Sequence, residues 1–479
     1  MKRKKTIILF LCFPMICFYW GCLSTGRPTL SKEKFMQSVY INEIKPALDE
    51  AGESEELKIS FQRALELSVL NDENLALHYF SWKKDLLDLK QARSMRFPRV
   101  NLQVFNETYY SDEDRKIKNN IDGGLLLQYN LVNLLFQRDK ISIQKAASER
   151  SLIKGRIEVQ NIFFRLLTRL MEIEYHLNEV KLREKALQYA GDGLTIWERL
   201  AKEGRIRTAS AWRWTNDVQD AREKFEEAKS SLEFSQRSLK YMLGKINARH
   251  IEVLNGGAFM PEISRYQNME IKVPEAIKDA WSHRYEVKLA EINLFLSEME
   301  LLKSKMSWLK YFRISLGFGQ FFIFREGERA NVTLNTSLLF PVLDLGDTKR
   351  IKKKAKIDRD MARLRAVNLA RKISREVREA VDKVDIFRRR LMDAENMVKK
   401  AGQQKEIVKR LIRLNQAEIL DLYAARLASL RAESNYNRIC FEFKKALLHL
   451  KKVRGTLLNK EVEEKLIKKR TKTNEKNEK

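Results

Sequence analysis

The chain has 479 residues, with 92 Lys and Arg against 64 Asp and Glu, a formal net charge of +28, and only 18 Gly and 7 Pro. Scarce Gly and Pro beside 33% charged residues argue against a loop-rich multidomain protein and for long charged helices. The basic balance alone would favour a nucleic-acid partner. That class is set aside, because it explains neither the N-terminal segment nor the alternating strands described below.

Lys2, Arg3, Lys4 and Lys5 precede an apolar run from Thr6 to Trp20, shorter than the roughly 20 residues a membrane helix needs. This pattern marks residues 1–21 as a signal segment. Gly21-Cys22 resembles a bacterial lipobox, which makes Cys22 the expected lipidation site. Tyr19 and Trp20 are bulkier than usual there, so ordinary cleavage nearby or an uncleaved anchor stay open. With Cys12 and Cys17 removed and Cys22 acylated, Cys440 is left alone, and no disulfide within the mature chain is expected.

After a lipid-anchored linker or equatorial segment (22–56), the chain repeats itself. Ile59–Leu65 (ISFQRAL) lies 212 positions before Ile271–Ile277 (IKVPEAI). Asn130–Asn133 (NLVN) lies 211 before Pro341–Asp344 (PVLD), and Gly244 lies 211 before Gly455. Two copies of one unit are therefore expected at 57–245 and 269–455. A linker (246–268) separates them, and a basic tail expected to be disordered (456–479) follows.

Each copy opens with a long helix, the first expected from Ser60 to Met95. Two strands follow, near 99–109 and 120–131 in the first copy and near 311–323 and 330–341 in the second. Phe312, Ile314, Leu316 and Phe318 alternate with Arg313, Ser315, Gly317 and Gly319. Val332, Leu334 and Leu338 likewise alternate with Asn331, Thr333, Asn335 and Ser337. Period two gives one apolar and one polar face, as in a soluble sheet or a water-filled membrane barrel. The polar stretches Ser111–Asn120 and Arg325–Ala330 read as exposed hairpin loops. Asp344 or Asp347 is placed to cap the next helix, whose first turns hold Lys349–Lys356.

The long helices carry a seven-residue code. In the first copy Leu152, Val159, Leu166, Ile173, Val180, Leu187, Leu194 and Ala201 recur at seven. In the second, Ala370, Val377, Val384, Leu391, Val398 and Ile412 keep the register, with Lys405 the polar exception. This is a coiled-coil seam. It stops near Gly204 and Asn415, where each helix must turn back. Trp212 and Trp214 follow the first turn and suit packing or a partner contact.

No catalytic constellation, cofactor loop or metal-ligand spacing is present; His78, His176, His250, His283 and His449 are scattered. No enzyme activity, cofactor or metal is expected.

The doubled order of helix, hairpin and long coiled-coil hairpin resembles the outer-membrane efflux proteins of the TolC-like family, from Leu57 to Gly455. Ile59–Leu75 is similar to the family's opening helix. Pro341–Arg350 (PVLDLGDTKR) is similar to its strand exit. Lys202–Trp212 and Arg413–Arg426 fall at its coiled-coil tips. The resemblance implies a mainly α fold with a small β-barrel part, four strands from each protomer closing a 12-stranded barrel in a homotrimer above a periplasmic α-barrel. It implies a bacterial outer-membrane exit duct of a tripartite efflux pump or a type I secretion system, joined to a periplasmic adaptor and an inner-membrane pump. Outer-membrane lipid would surround it, and no nucleic acid is involved. It implies adaptor contacts at Gly204, Arg205, Ile206, Arg207, Thr208, Asn415, Gln416, Ala417 and Glu418. It also implies an acidic periplasmic entrance at Asp421, with Arg413 and Arg426 near enough in sequence to neutralise it. The other class carried forward is a lipid-anchored periplasmic coiled-coil structural protein without channel activity.

Overall fold

The computed structural model describes residues 57–458, except 96, 98, 112–115, 131–135, 205–210, 246–247, 255–259, 268–269, 307–311, 324–327 and 339–345, together with 462 and 465–467. Cys22, Arg205, Ile206, Arg207, Thr208 and Asp344 lie outside the described residues.

The chain divides into two units. One takes residues up to Leu57 with Lys245–Glu252. Within it the Leu57 N–H donates to the His250 carbonyl at 2.9 Å. The other takes Lys58–Gly244 and Val253–Lys479 and holds almost all the described elements.

After β1 (Leu57–Ser60), helix α1 (Phe61–Asn71) starts at Ser60, whose hydroxyl accepts from the Arg63 N–H at 3.3 Å. The single long helix expected here is in fact two. The backbone is extended at Asp72, and α2 (Glu73–Ser94) begins there, the Asp72 carboxylate accepting from the Leu75 N–H at 2.9 Å. An Asp three residues ahead of a free amide competes with helix continuation by capping a new start. The second copy breaks at the equivalent place: α6 (Val273–His283) and α7 (Tyr285–Lys305) meet at extended Arg284, the counterpart of Asp72 in the repeat.

Strands β2 (Arg99–Ser111), β3 (Lys116–Asn130), β5 (Phe312–Ile323) and β6 (Glu328–Leu338) form one antiparallel sheet in the order β2-β3-β5-β6. The first hairpin is longer than its sequence suggests. Pairing runs out to Ser111 opposite Lys116, so most of Ser111–Asn120 is strand, not loop. Its charged residues gave no apolar alternation to read. The register sets Phe312 opposite Leu338, Leu316 opposite Leu334, and Phe318 opposite both Val332 and Leu127. Arg313 stands opposite Ser337, and Ser315 opposite Asn335. In these pairs apolar positions align with apolar ones and polar with polar, but the match is not general. Leu125 stands opposite Gln320, Asn101 opposite Leu126 and Ile314 opposite Thr336, and toward the hairpin ends Phe105 stands opposite Asp122, Phe321 opposite Arg329 and Phe322 opposite Glu328.

Two helices dominate. α3 (Gln137–Lys202) has 66 residues and α8 (Asp347–Arg413) has 67, each about 100 Å long at 1.5 Å per residue. Each folds back into a shorter partner, α4 (Ala211–Leu243) and α9 (Ile419–Val453). Asp347 is not the cap of α8 but its first residue; Gly346, at φ 80°, takes the cap position. Between the copies lie β4 (Ile251–Leu254) and the short α5 (Ile263–Gln267).

The cores repeat in the same way. The equivalent pairs Ala64 and Ala276, Ile162 and Ile373, Leu166 and Val377, and Leu239 and Leu450 are all buried. Of the heptad positions, Val159, Leu166, Val377, Val384 and Leu391 are buried by the chain itself. Leu152, Ile173, Val180, Leu187, Leu194 and Ala201 are only partly covered. Beyond the second copy, Leu466 is buried, and Ile467 lines a small apolar pocket with Tyr79, Trp82 and Leu152. Among the described residues no helix is long and apolar enough to cross a membrane.

Candidate functional site at the helical turns

Both long helices stop with a residue in the left-handed region, Gly204 at φ 71° and Asn415 at φ 55°. At Asn415 the turn is complete. The Asn415 N–H donates to the Ile412 carbonyl at 3.0 Å and the Gln416 N–H to the Leu411 carbonyl at 2.9 Å. This 5→2 and 6→1 pair is the usual way to satisfy the last carbonyls of a helix, and Asn tolerates the conformation it needs. Gly204 makes the corresponding 5→2 bond to the Ala201 carbonyl at 3.0 Å.

Gln416, Ala417 and Glu418 span the second turn before α9 starts. Asp421 is in the first turn of α9. Its carboxylate accepts from the Glu418 N–H at 3.0 Å, while its own N–H donates to the Glu418 carbonyl at 3.0 Å. The exposed aspartate singled out from sequence thus also secures the helix start. Arg426 does not reach back to it. Its guanidinium sits between the Tyr189 and Tyr423 rings, 5.1 Å from each centroid, a cation–π arrangement on α3 and α9.

The two tryptophans part company. Trp212 is 78% exposed, whereas Trp214 is buried with Trp197, Ala190, Ala221 and Leu427. The indole of Trp214 lies against the backbone of Gly193: a Cβ there would come within 2.3 Å of the ring. Gly193 is therefore a packing requirement of α3 against α4, and nothing about it stands out in the sequence.

Sequence reading also missed a polar layer between α3 and α9. The buried Glu179 carboxylate accepts from Arg183 Nε at 2.8 Å, Ser434 Oγ at 2.6 Å and Asn437 Nδ2 at 3.4 Å. Burial, and then the Glu179 charge, push the neighbouring Tyr175 phenol above its usual range. Each of these side chains sits at a position that reads as solvated surface in a single helix. Only the pairing of α3 with α9 reveals them as a set. Among the described residues no three potential metal ligands cluster.

No family model matches the chain, and no curated protein matches it by sequence. Solved structures do. The chain is similar to the Campylobacter jejuni CmeC outer membrane channel, with TM-score 0.70 and 15% identity over 85% of this chain and 88% of that one. It is similar to a membrane protein from Pseudomonas aeruginosa, at 0.69 and 16% over 83% and 91%. It is also similar to the outer membrane protein VceC from Vibrio cholerae, at 0.65 and 14% over 82% and 95%. With its paired strands, long helices and left-handed turns, the chain has the TolC-like fold of outer-membrane channels.

Proposed function

We propose that the chain is an outer-membrane exit duct that passes substrates from a periplasmic adaptor and an inner-membrane pump to the exterior. One observation carries this reading: the likeness to outer-membrane channels extends over 85% of the chain, sheet and helices together. The sheet supports it. β2 and β6 each have one in-sheet neighbour, and strand edges of 13 and 11 residues need partners, above all in lipid. Three copies joined edge to edge would supply them in a 12-stranded barrel. The partly covered heptad residues of α3 would find neighbours in the same trimer.

In this reading the turns at Gly204–Thr208 and Asn415–Glu418 face the adaptor, Asp421 lines the entrance, and Cys22 carries the lipid. The duct is passive, without cofactor, and serves either an efflux pump or type I secretion. The reading is tested by membrane fractionation and planar-bilayer recording. A heat-modifiable trimer in the outer membrane that conducts ions is expected. A periplasmic monomer without conductance would instead support the lipid-anchored structural protein.

A further inference from the structure

Strand pairing brings four helix ends to one end of the sheet. Arg99 opposite Gln128, Asn130 opposite Ser315 and Phe312 opposite Leu338 put the start of β2, the end of β3, the start of β5 and the end of β6 together. The adjoining helix ends are those of α2, α3, α7 and α8. At most eight residues separate any of them from its strand, a reach of about 30 Å even when fully extended.

These ends are basic. The ten residues of each helix nearest the sheet hold thirteen Lys and Arg against six Asp and Glu. The ten residues of α3, α4, α8 and α9 nearest the turns hold eight against five. The charge is therefore polarised toward the sheet, which a uniformly solvated surface does not require. α8 contributes most: Lys349, Arg350, Lys352, Lys353, Lys354 and Lys356 against Asp347. All six bases are exposed and have no ion pair among the described residues, while Ala355 supplies the buried contact of that segment. Bases from different helices are also drawn together. The Lys140 ammonium on α3 is held below its usual range by burial and then by the charge of Lys303 on α7.

We propose that these helix ends form a basic collar that binds phosphate-bearing lipid headgroups where the sheet leaves the bilayer. The inference rests on the channel reading, which puts the sheet in a membrane. A ring of cations beside a sheet end meets a plane of headgroup phosphates, whereas a nucleic acid would need a basic track along one face. Near an anionic surface each lysine is worth about fivefold in association.

The test uses full-length protein purified in detergent, with fluorescent phosphatidylglycerol and phosphatidylcholine as probes. Phosphatidylglycerol should bind about tenfold or more tighter than phosphatidylcholine, in line with several lysines acting together. The triple variant Lys352→Gln, Lys353→Gln, Lys356→Gln should lose most of that preference. Lys399→Gln, Lys400→Gln, Lys405→Gln removes the same charge from the same helix about 70 Å away, and should keep it. Inorganic phosphate at matched ionic strength should not displace the lipid. Equal binding of both lipids, equal loss in both variants, or full displacement by phosphate would each overturn the collar. Bilayer conductance is measured on the same preparations. A conducting protein with no lipid preference defeats the collar alone, and a non-conducting one defeats the channel reading.

Discussion

Asp72 and Arg284 occupy equivalent positions in the two copies and carry opposite charges. Asp72 pairs with Arg165 on α3 at 2.7 Å, and Arg284 pairs with Glu376 on α8 at 2.6 Å. Arg165 and Glu376 are themselves equivalent in the repeat, so both copies keep one ion pair with its signs exchanged. Asp72 also caps α2, which Arg284 cannot do for α7, and α7 accordingly starts without a side-chain cap. Arg284 compensates through a second carboxylate, Glu286, at 3.0 Å. The second pair is the more enclosed, with the Arg284 side chain 11% exposed. Glu376→Arg should therefore destabilise the protein by about 3 kcal/mol, the usual cost of breaking a sheltered pair. Adding Arg284→Glu should recover much of this, since the first copy uses that polarity; Glu286, left beside a new acid, limits the recovery. Denaturant unfolding of the purified variants measures both steps. A double variant no more stable than Glu376→Arg alone would mean that the two sites are not interchangeable.

At the scale of elements, the strands lend themselves to a sharp comparison. Leu334 stands opposite Leu316, and Asn335 opposite Ser315, so neighbouring positions in β6 belong to opposite rows. If the apolar row meets lipid, Leu334→Lys should cost about 2–4 kcal/mol near mid-bilayer, and Asn335→Lys, on the water-filled side, should be tolerated. Trimer yield and thermal stability in detergent check this, and the reverse order would turn the sheet inside out. Strand alternation, the heptads and the stops at Gly204 and Asn415 were legible because each is a local pattern of one chain segment. The helix breaks at Asp72 and Arg284 were not. There the apolar periodicity runs straight through, and a single cap or a distant ion pair decides. The Glu179 layer and the Trp214–Gly193 contact were hidden for another reason: they depend on which helices become neighbours. At the candidate turn, sequence placed the helix stops at Gly204 and Asn415 correctly but could not foresee that Asp421 secures the start of α9 or that Tyr189 and Tyr423 hold Arg426.

At the scale of the whole molecule, the decisive question is what three copies do at the turn end. In a homotrimer three Asp421 carboxylates would approach one axis, with no fourth to sixth from the first copy, where Ser210 stands at the equivalent position. Arg426, one of the two bases that sequence suggested as neutralising partners, is engaged by two tyrosine rings and not by the Asp421 carboxylate, which leaves Arg413 as the other base that could offset the ring's charge. Oxygen ligands of like charge around a narrow opening favour a multivalent cation. A divalent or trivalent cation added from the periplasmic side should therefore block conductance of reconstituted trimers. Asp421→Asn should weaken that block by about tenfold or more, because losing three negative charges removes the main Coulomb attraction. The substitution keeps a side-chain oxygen that can accept from the Glu418 N–H, so α9 should still start where it does. Unfolding midpoints should then stay close to wild type while the block changes. An Asp421→Asn channel with unchanged cation block would show that the carboxylate only caps its helix. A variant that loses both stability and block would make the cap, and not the charge, the reason for an aspartate at that position.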